Sequence, residues 1–162
     1  MRADGTSSVA GPDPEGAPQP LARLRFAADS TAVRLALAQA RAVLARLRLS
    51  EDCLCDVELV LAEVLNNILL HAYAQEPGEV VLDLQLTQDE LICTVQDRGC
   101  PMPGGAPPAG HCAPVDVAPE ALPEGGFGWF LIRSHAKALD YCREDAVNRL
   151  TLHLSLVPTG PD

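Results

Sequence analysis

The sequence predicts an α+β fold in which helices cover one face of a β-sheet. Two amphipathic helical segments follow one another in the first half of the chain, whereas segments of alternating apolar and polar residues dominate the second half. Because helices and strands segregate along the chain, a two-layer sandwich is the simplest way to bury both apolar surfaces. At 162 residues the chain has room for one domain with a substantial core.

The N-terminal residues differ in composition from the rest of the chain. Residues 1–20 are rich in Pro, Gly and Ala and have no apolar periodicity, so we expect a disordered tail at 1–20 and a folded domain at 21–158. Leu21 to Phe26 alternates as a short strand. Asp29 or Ser30 can then cap a helix whose apolar stripe reaches Leu47.

A second helix and a hairpin follow. Ser50, with Glu51 and Asp52 in the first turn, indicates a helix that ends near Tyr73. The alternating segments 80–86 and 91–95 are joined by a polar turn at 87–89, which is typical of an antiparallel hairpin.

The last third of the chain begins with a long irregular segment. Residues 101–126 are rich in Pro, Gly and Ala, and they are too many for a tight connection, which is typical of a functional loop or lid. A helix is predicted from about Gly128 to Ala138. Leu150, Leu152, Leu154 and Leu156 alternate with polar residues and predict a closing strand with one buried face.

Charge and hydropathy exclude several classes of function. The net charge is −10, and no Lys or Arg occurs from Leu49 through Asp97, which argues against a nucleic-acid groove and favours a basic protein partner. No run of eighteen apolar residues and no secretion signal is present, so we expect a cytoplasmic protein without a membrane contact. Arg34, Arg41 and Arg48 are spaced seven residues apart on a predicted helix. They would form either a solvated helix face or a basic edge that docks a partner.

The six cysteines do not form a recognisable framework. No CxxC pair occurs, and Cys53 and Cys55 face different sides of a helix, so we expect reduced thiols. The alternative is a metal site made by Cys100, His111 and Cys112, but these are three ligands where a structural zinc site has four.

One polar stripe marks the second helix. Glu63, Asn67 and His71 lie four residues apart within an otherwise apolar segment, and they therefore share one helix face. Desolvated polar groups need partners, and a ligand is the natural candidate.

Three motifs occur in a fixed order: Glu63 and Asn67 on the helix, Asp97-Arg98-Gly99 at a strand end, and Gly125-Gly126-Phe127-Gly128 at a helix start. Together they resemble the N, G1 and G2 boxes of the GHKL ATP-binding superfamily. Within it the chain is most similar to bacterial anti-sigma factor serine/threonine kinases, whose His-Ala-Tyr ending is present at 71–73. The resemblance implies a Bergerat-type sandwich with helices on one face of a mixed, mostly antiparallel sheet and an ATP lid at about 101–126.

The resemblance also implies a role for each motif residue. An amide oxygen such as that of Asn67 can bind Mg²⁺, which needs only one or two protein ligands when it also bridges phosphates. Glu63 would take the proton from the attacking hydroxyl. Asp97 would accept a hydrogen bond from the adenine amine, and Gly99 would let the ring approach. The loop of Gly125, Gly126 and Gly128 would offer backbone N–H groups to phosphate.

The implied function is an ATP- and Mg²⁺-dependent protein kinase. Its substrate would be an anti-sigma-factor antagonist of the STAS type, and it would sequester a sigma factor or another regulator, as a homodimer. The segment between Met102 and Glu124 contains no Arg or Lys, so we expect slow turnover. Two alternatives remain open: an ATP-binding module that sequesters a partner without phosphotransfer, and a metal-binding regulatory domain. We expect His71 to be packed or hydrogen-bonded and Trp129 to belong to the core.

Overall fold

The computed structural model describes residues 16–74, 76–110 and 127–156. Most of the predicted tail (1–15), most of the predicted lid (111–126) and the predicted end of the domain at 158 lie outside the described residues. None of the helices in these three ranges is both long and apolar enough to cross a membrane.

The secondary structure follows the predicted order, with one strand that was not predicted, Ala136–Glu144. The elements are β1 (Gln19–Ala27), α1 (Ser30–Leu44), α2 (Glu51–Asn67), β2 (Glu79–Leu86), β3 (Glu90–Asp97), α3 (Phe127–His135), β4 (Ala136–Glu144) and β5 (Val147–Ser155). A π-helical turn, Ile68–Ala72, extends α2. Short 3₁₀ turns occupy Ala45–Leu47 and Pro103–Gly105.

Both predicted helix starts are confirmed by their caps. The Asp29 carboxylate accepts a hydrogen bond from the amide of Ala32 at 2.8 Å, and the Ser50 hydroxyl accepts one from the amide of Cys53 at 3.2 Å. Each side chain satisfies an amide that has no partner within the helix, and this fixes where the helix begins.

The strands form one sheet in the order β1-β2-β3-β5-β4, and every neighbouring pair among them is antiparallel. The predicted hairpin of β2 and β3 is confirmed, as is the α+β class. The register of β3 against β5 sets Asp97 directly opposite Asn148 at one end of the sheet.

The core lies between the helices and one face of the sheet. Alternate residues of β2, β3 and β5 point inward, where they meet the apolar stripes of the helices in one continuous cluster. Its most deeply buried side chains include Leu61, Leu65, Leu82, Leu84, Leu91, Ile132 and Leu152.

Two boundaries differ from the prediction. Gln19 and Pro20, assigned to the tail, belong to β1, where they pair with Leu86 and Gln85. The last helix ends at His135 rather than Ala138, and β4 follows it without a break. β4 lies at the edge of the sheet, so few of its residues are buried and its sequence carries little alternation.

Candidate functional site

A cavity of about 500 Å³ opens between the C-terminal end of α2 and one end of the sheet. Most of its wall is apolar, and a few polar groups converge on it, an arrangement typical of small-molecule sites of this size. The polar side chains of this wall are Asn67, His71, Asp97, Tyr141 and Asn148.

Asp97 is the buried charge of the cavity. Only 7% of the residue is exposed, and its Oδ1 accepts hydrogen bonds from the Asn148 amide at 2.7 Å and from the backbone N–H of Gly99 at 2.9 Å. Its Oδ2 accepts none from the part of the chain that the structure describes. Burial raises the pKa of Asp97, while the bonds from Asn148 and Gly99 act in the opposite direction.

Asn148 is held in a single orientation by a row of residues across three strands. Arg143 pairs with Asn148, and Asn148 pairs with Asp97, in consecutive strands. The Asn148 Oδ1 accepts hydrogen bonds from the Tyr141 hydroxyl at 2.8 Å and from Arg143 at 2.5 Å. The guanidinium of Arg143 can only donate, and the ionised carboxylate of Asp97 can only accept, so the Oδ1 of Asn148 faces Arg143 and its Nδ2 faces Asp97.

The loop after β3 is tied to the end of α2. The Tyr73 hydroxyl donates to the carbonyl of Glu79 at 2.9 Å and accepts from the amide of Arg98 at 2.7 Å. The amide of Cys100 donates to the carbonyl of Ala72 at 2.9 Å. A Cβ on Gly99 would lie 2.4 Å from that carbonyl oxygen, so only glycine permits this contact.

The carboxamide of Asn67 makes no hydrogen bond within the described residues, although its Nδ2 is buried. A buried amide without a partner costs free energy, about 1 to 3 kcal/mol. Its two ends are nearly the same shape, so either the N–H₂ group or the oxygen can face a ligand in the cavity.

Glu63 lies beside the cavity rather than on its wall. A Cβ on Gly128 would lie 2.6 Å from the Glu63 Oε2 and 4.0 Å from the Asn67 Nδ2. The contact between α2 and α3 therefore brings Glu63, Asn67 and Gly128 together.

The predicted site residues are thus distributed in three places. Asn67 and Asp97 line the cavity, Gly99 belongs to the adjoining loop, and Glu63 and Gly128 meet at its side. Gly125 and Gly126 lie outside the described residues. The His71 side chain is exposed on the cavity wall and forms no hydrogen bond with the residues that the structure describes, contrary to expectation. Trp129 is buried in the core as predicted and also reaches the cavity.

Sequence reasoning missed Asn148, Tyr141 and Arg143. The available signal was a polar Asn148 in the inward register of the closing strand, two residues before Leu150, where an apolar residue is expected. Tyr141 and Arg143 belong to β4, which was not predicted, so their positions could not be inferred.

The cysteines and the basic helix edge are separate from this cavity, with one exception. The five described cysteines are free thiols, of which Cys100 lines the cavity, and burial raises the pKa of Cys93 to about 12. Within the described ranges no three His, Cys, Asp or Glu side chains are placed to hold a metal ion. His111 and Cys112, which with Cys100 make up the alternative metal site, lie outside them.

Arg41 is not available as a free docking cation. Its guanidinium bonds Glu58 at 2.6 Å and also contacts Glu51, which joins α1 to α2. These two carboxylates raise its pKa further. Arg34 and Arg48 remain exposed on either side of it.

Comparisons with known proteins agree with this geometry. The model of the histidine kinase-like ATPase domain family matches residues 26–154. The serine-protein kinase RsbW of Bacillus mycoides (strain KBAB4) is 30% identical over 91 residues, which are 55% of this chain and 56% of that protein. Its counterpart in Bacillus cereus (strain AH187) is 31% identical over 85 residues, 51% of this chain and 52% of that protein. The chain thus spans about half the length of the curated relatives it matches.

A solved structure resembles most of this fold. The crystal structure of the RsbU and RsbW domains of Rv1364c from Mycobacterium tuberculosis superposes with a TM-score of 0.55 at 19% identity. The match covers 83% of this chain and 33% of that one, and at this identity it supports the fold alone.

Proposed function

This chain belongs to the histidine kinase-like ATPase domain family, and we propose that it is a protein serine/threonine kinase that binds ATP in the cavity at the end of α2. The observation that carries the proposal is the unpaired Asn67 amide, which lines a mostly apolar cavity. The names of the Bacillus relatives, serine-protein kinases, support the class of reaction.

The adenine ring would lie against Asp97. The unpartnered Oδ2 of Asp97 is an acceptor suited to the exocyclic amine of adenine, and Asn148 holds the other oxygen in place. A buried acceptor discriminates strongly between bases, because a base without the matching donor leaves it unpaired. This end of the cavity would therefore select the nucleotide.

The phosphates would lie toward Asn67 and Gly128. The Asn67 amide has no partner that fixes its orientation, so it can turn its oxygen toward a Mg²⁺ ion, and one protein ligand suffices when phosphates and water supply the others. Such an ion neutralises charge on the phosphates. Gly125, Gly126 and Gly128 would present backbone N–H groups to them.

Phosphotransfer would use Glu63 as the base. The hydroxyl oxygen of a serine or threonine attacks the γ-phosphorus, the bond from that phosphorus to the bridging oxygen breaks, and ADP leaves. Glu63 takes the hydroxyl proton, or orients the hydroxyl for attack. The substrate would be an antagonist protein of the STAS type, and the added phosphate would weaken its complex with this protein. The freed protein, a cytoplasmic homodimer, would then sequester a sigma factor or another regulator.

Glu63→Gln tests the catalytic step. The change keeps shape and removes the base, so we expect ATP affinity within twofold of the unchanged protein and phosphotransfer to a STAS antagonist lowered by about a hundredfold. Calorimetry with ATP, with and without Mg²⁺, and transfer of labelled phosphate measure the two effects. Equal transfer rates would remove Glu63 from the mechanism, and the absence of ATP uptake by folded protein would overturn the proposal.

A second function is favoured by one observation. Glu63 lies at the side of the cavity rather than on its wall, as expected for a module that binds ATP and sequesters a partner without transferring phosphate. Labelled ATP incubated with an antagonist that binds tightly separates the two. A stable complex without labelled serine or threonine would favour the sequestering module.

A further inference from the structure

Four large apolar side chains are exposed in the described residues, and three of them lie along the helix that carries Glu63 or next to Gly128, which meets Glu63. Leu59 and Leu70 are exposed by 40% and 65% on the helix that carries Glu63, and Phe127 is exposed by 55% at the start of α3. The fourth, Leu35, is exposed by 57% on α1. Apolar side chains gathered at one place on a surface mark an interaction site more often than scattered ones do.

Their positions follow from helix geometry. Leu59 lies one turn before Glu63, about 6 Å along the helix axis. Leu70 follows Glu63 by seven residues and belongs to the π-helical turn that extends α2. Phe127 adjoins Gly128, whose backbone lies against the Glu63 carboxylate. The proposed base therefore shares one face of the helix with exposed apolar side chains.

The same surface is acidic. Asp52 and Asp56 are exposed on the same side of α2, and no Lys or Arg occurs between residues 49 and 97. The Arg41 guanidinium on the neighbouring helix is already paired with Glu51 and Glu58. We call Asp52, Asp56, Leu59, Glu63, Leu70 and Phe127 the α2 face.

We propose that the α2 face docks the segment of the protein substrate that carries the acceptor hydroxyl, and that this segment presents Lys or Arg side chains next to an apolar one. This inference rests on the proposed kinase function. Apolar contacts with Leu59 and Leu70 supply affinity, and the carboxylates orient the basic segment. A second copy of this chain fits the surface poorly, because a symmetric contact would bring two acidic faces together.

The test uses two short synthetic peptides with a central serine and flanking leucines, one with lysines and the other with glutamates in their place. Fluorescence anisotropy with the full-length, ATP-loaded protein measures their affinities at low and high salt. The lysine peptide should bind about tenfold more tightly at low salt, and the difference should shrink at high salt. Leu70→Ser and Leu59→Ser should each weaken binding of the lysine peptide by about tenfold.

Leu35→Ser is the matched control, because it removes an equally exposed leucine from the other helix. It should change peptide affinity by less than about twofold, and Asp52→Lys should reduce the preference for the lysine peptide. Equal losses in all three leucine variants, or equal affinity for both peptides, would overturn the inference while ATP binding stands. A dimer that Leu70→Ser converts to monomers would also overturn it, since the face would then be a contact between copies. Failure of the unchanged protein to bind ATP would refute the kinase proposal instead.

Discussion

At the scale of single residues, two glycines near the cavity are required for different reasons. At Gly99 the space for a side chain is taken by the backbone carbonyl of Ala72, which cannot move without displacing the end of α2. At Gly128 that space is taken by the Glu63 carboxylate, the far end of a flexible side chain. The first glycine is therefore structural, whereas the second sets the position of the proposed base.

Substitution by alanine should separate these two roles. Gly128→Ala should leave the free energy of unfolding unchanged or raise it by up to about 1 kcal/mol, because alanine favours a helix. By displacing Glu63, it should still lower phosphotransfer by about tenfold or more. Gly99→Ala should lower the free energy of unfolding by about 2 kcal/mol, because backbone must shift.

Urea denaturation and a phosphotransfer assay of both variants measure these effects. A Gly128→Ala protein with normal transfer would show that the contact with Glu63 has no catalytic consequence. A Gly99→Ala protein with unchanged stability would show that the Ala72 carbonyl moves freely.

At the scale of elements, the edge hairpin of β4 and β5 carries what sequence reasoning missed. It supplies Tyr141 and Asn148 to the cavity wall, and Tyr141 and Arg143 orient the Asn148 amide that faces Asp97. Its turn consists of Asp145 and Ala146, both with positive φ, at 49° and 61°. A two-residue turn of this geometry suits the twist of a hairpin, but a left-handed conformation is unfavourable for alanine.

Ala146→Gly should therefore stabilise the protein by about 1 kcal/mol, because glycine adopts this conformation without a Cβ clash. Thermal or urea denaturation measures the change, and ATP affinity should be retained since the cavity residues are untouched. Ala138→Gly, in the edge strand β4 and outside the turn, is the control and should destabilise the protein. A destabilised Ala146→Gly protein would show that the turn conformation is not strained.

The turn also explains how far the fold could be predicted. α1, α2, β2, β3 and β5 follow from apolar periodicity and from the caps Asp29 and Ser50, because local residues determine them. β4 does not, since an edge strand buries little, and Asp-Ala is not a recognisable hairpin turn. The helix pattern after Gly128 therefore extended to Ala138 in the prediction, across the true boundary at His135.

In the candidate site too, residues with a local sequence signature could be predicted, whereas those placed by strand pairing could not. Asn67 and Asp97 were recognisable because a polar residue in an apolar helix and an acidic turn at a strand end have local signatures. Asn148 meets Asp97 only through the pairing of β3 with β5, fifty-one residues later in the chain. Contacts that depend on sheet register cannot be obtained from one sequence without knowing which strands pair.

At the scale of the whole molecule, the pKa values of two carboxylates at opposite ends of the sheet are shifted in opposite directions. Burial raises the pKa of Asp97 in the cavity. At the other end of the sheet, hydrogen bonds from His153 at 3.1 Å and Lys137 at 3.1 Å lower the pKa of Glu90. Acid therefore affects the cavity before it affects this ion pair.

How Asp97 and Glu90 change the free energy of unfolding with pH follows from the direction of each pKa shift. Asp97 has a raised pKa in the folded protein, so its contribution to stability is full below its unfolded pKa and is lost as the pH rises through the folded value. Glu90 has a lowered pKa, so its contribution is present above its unfolded pKa and is lost as the pH falls through the folded value. Protonation of Asp97 thus leaves the fold intact, in a pH range where Glu90 is still ionised.

Within that range, nucleotide recognition should fail before the protein unfolds. A protonated Asp97 is a poorer acceptor for the adenine amine, so ATP affinity should fall as the pH drops toward the raised pKa, at a higher pH than for an exposed aspartate. Purine riboside triphosphate carries the same phosphates without the amine. In the ratio of the two affinities, the effect of phosphate protonation on binding therefore cancels. Calorimetry across the acidic range gives the ratio, and circular dichroism checks the fold. A ratio that stays constant with pH, in folded protein, would show that the Asp97 carboxylate does not bind the amine.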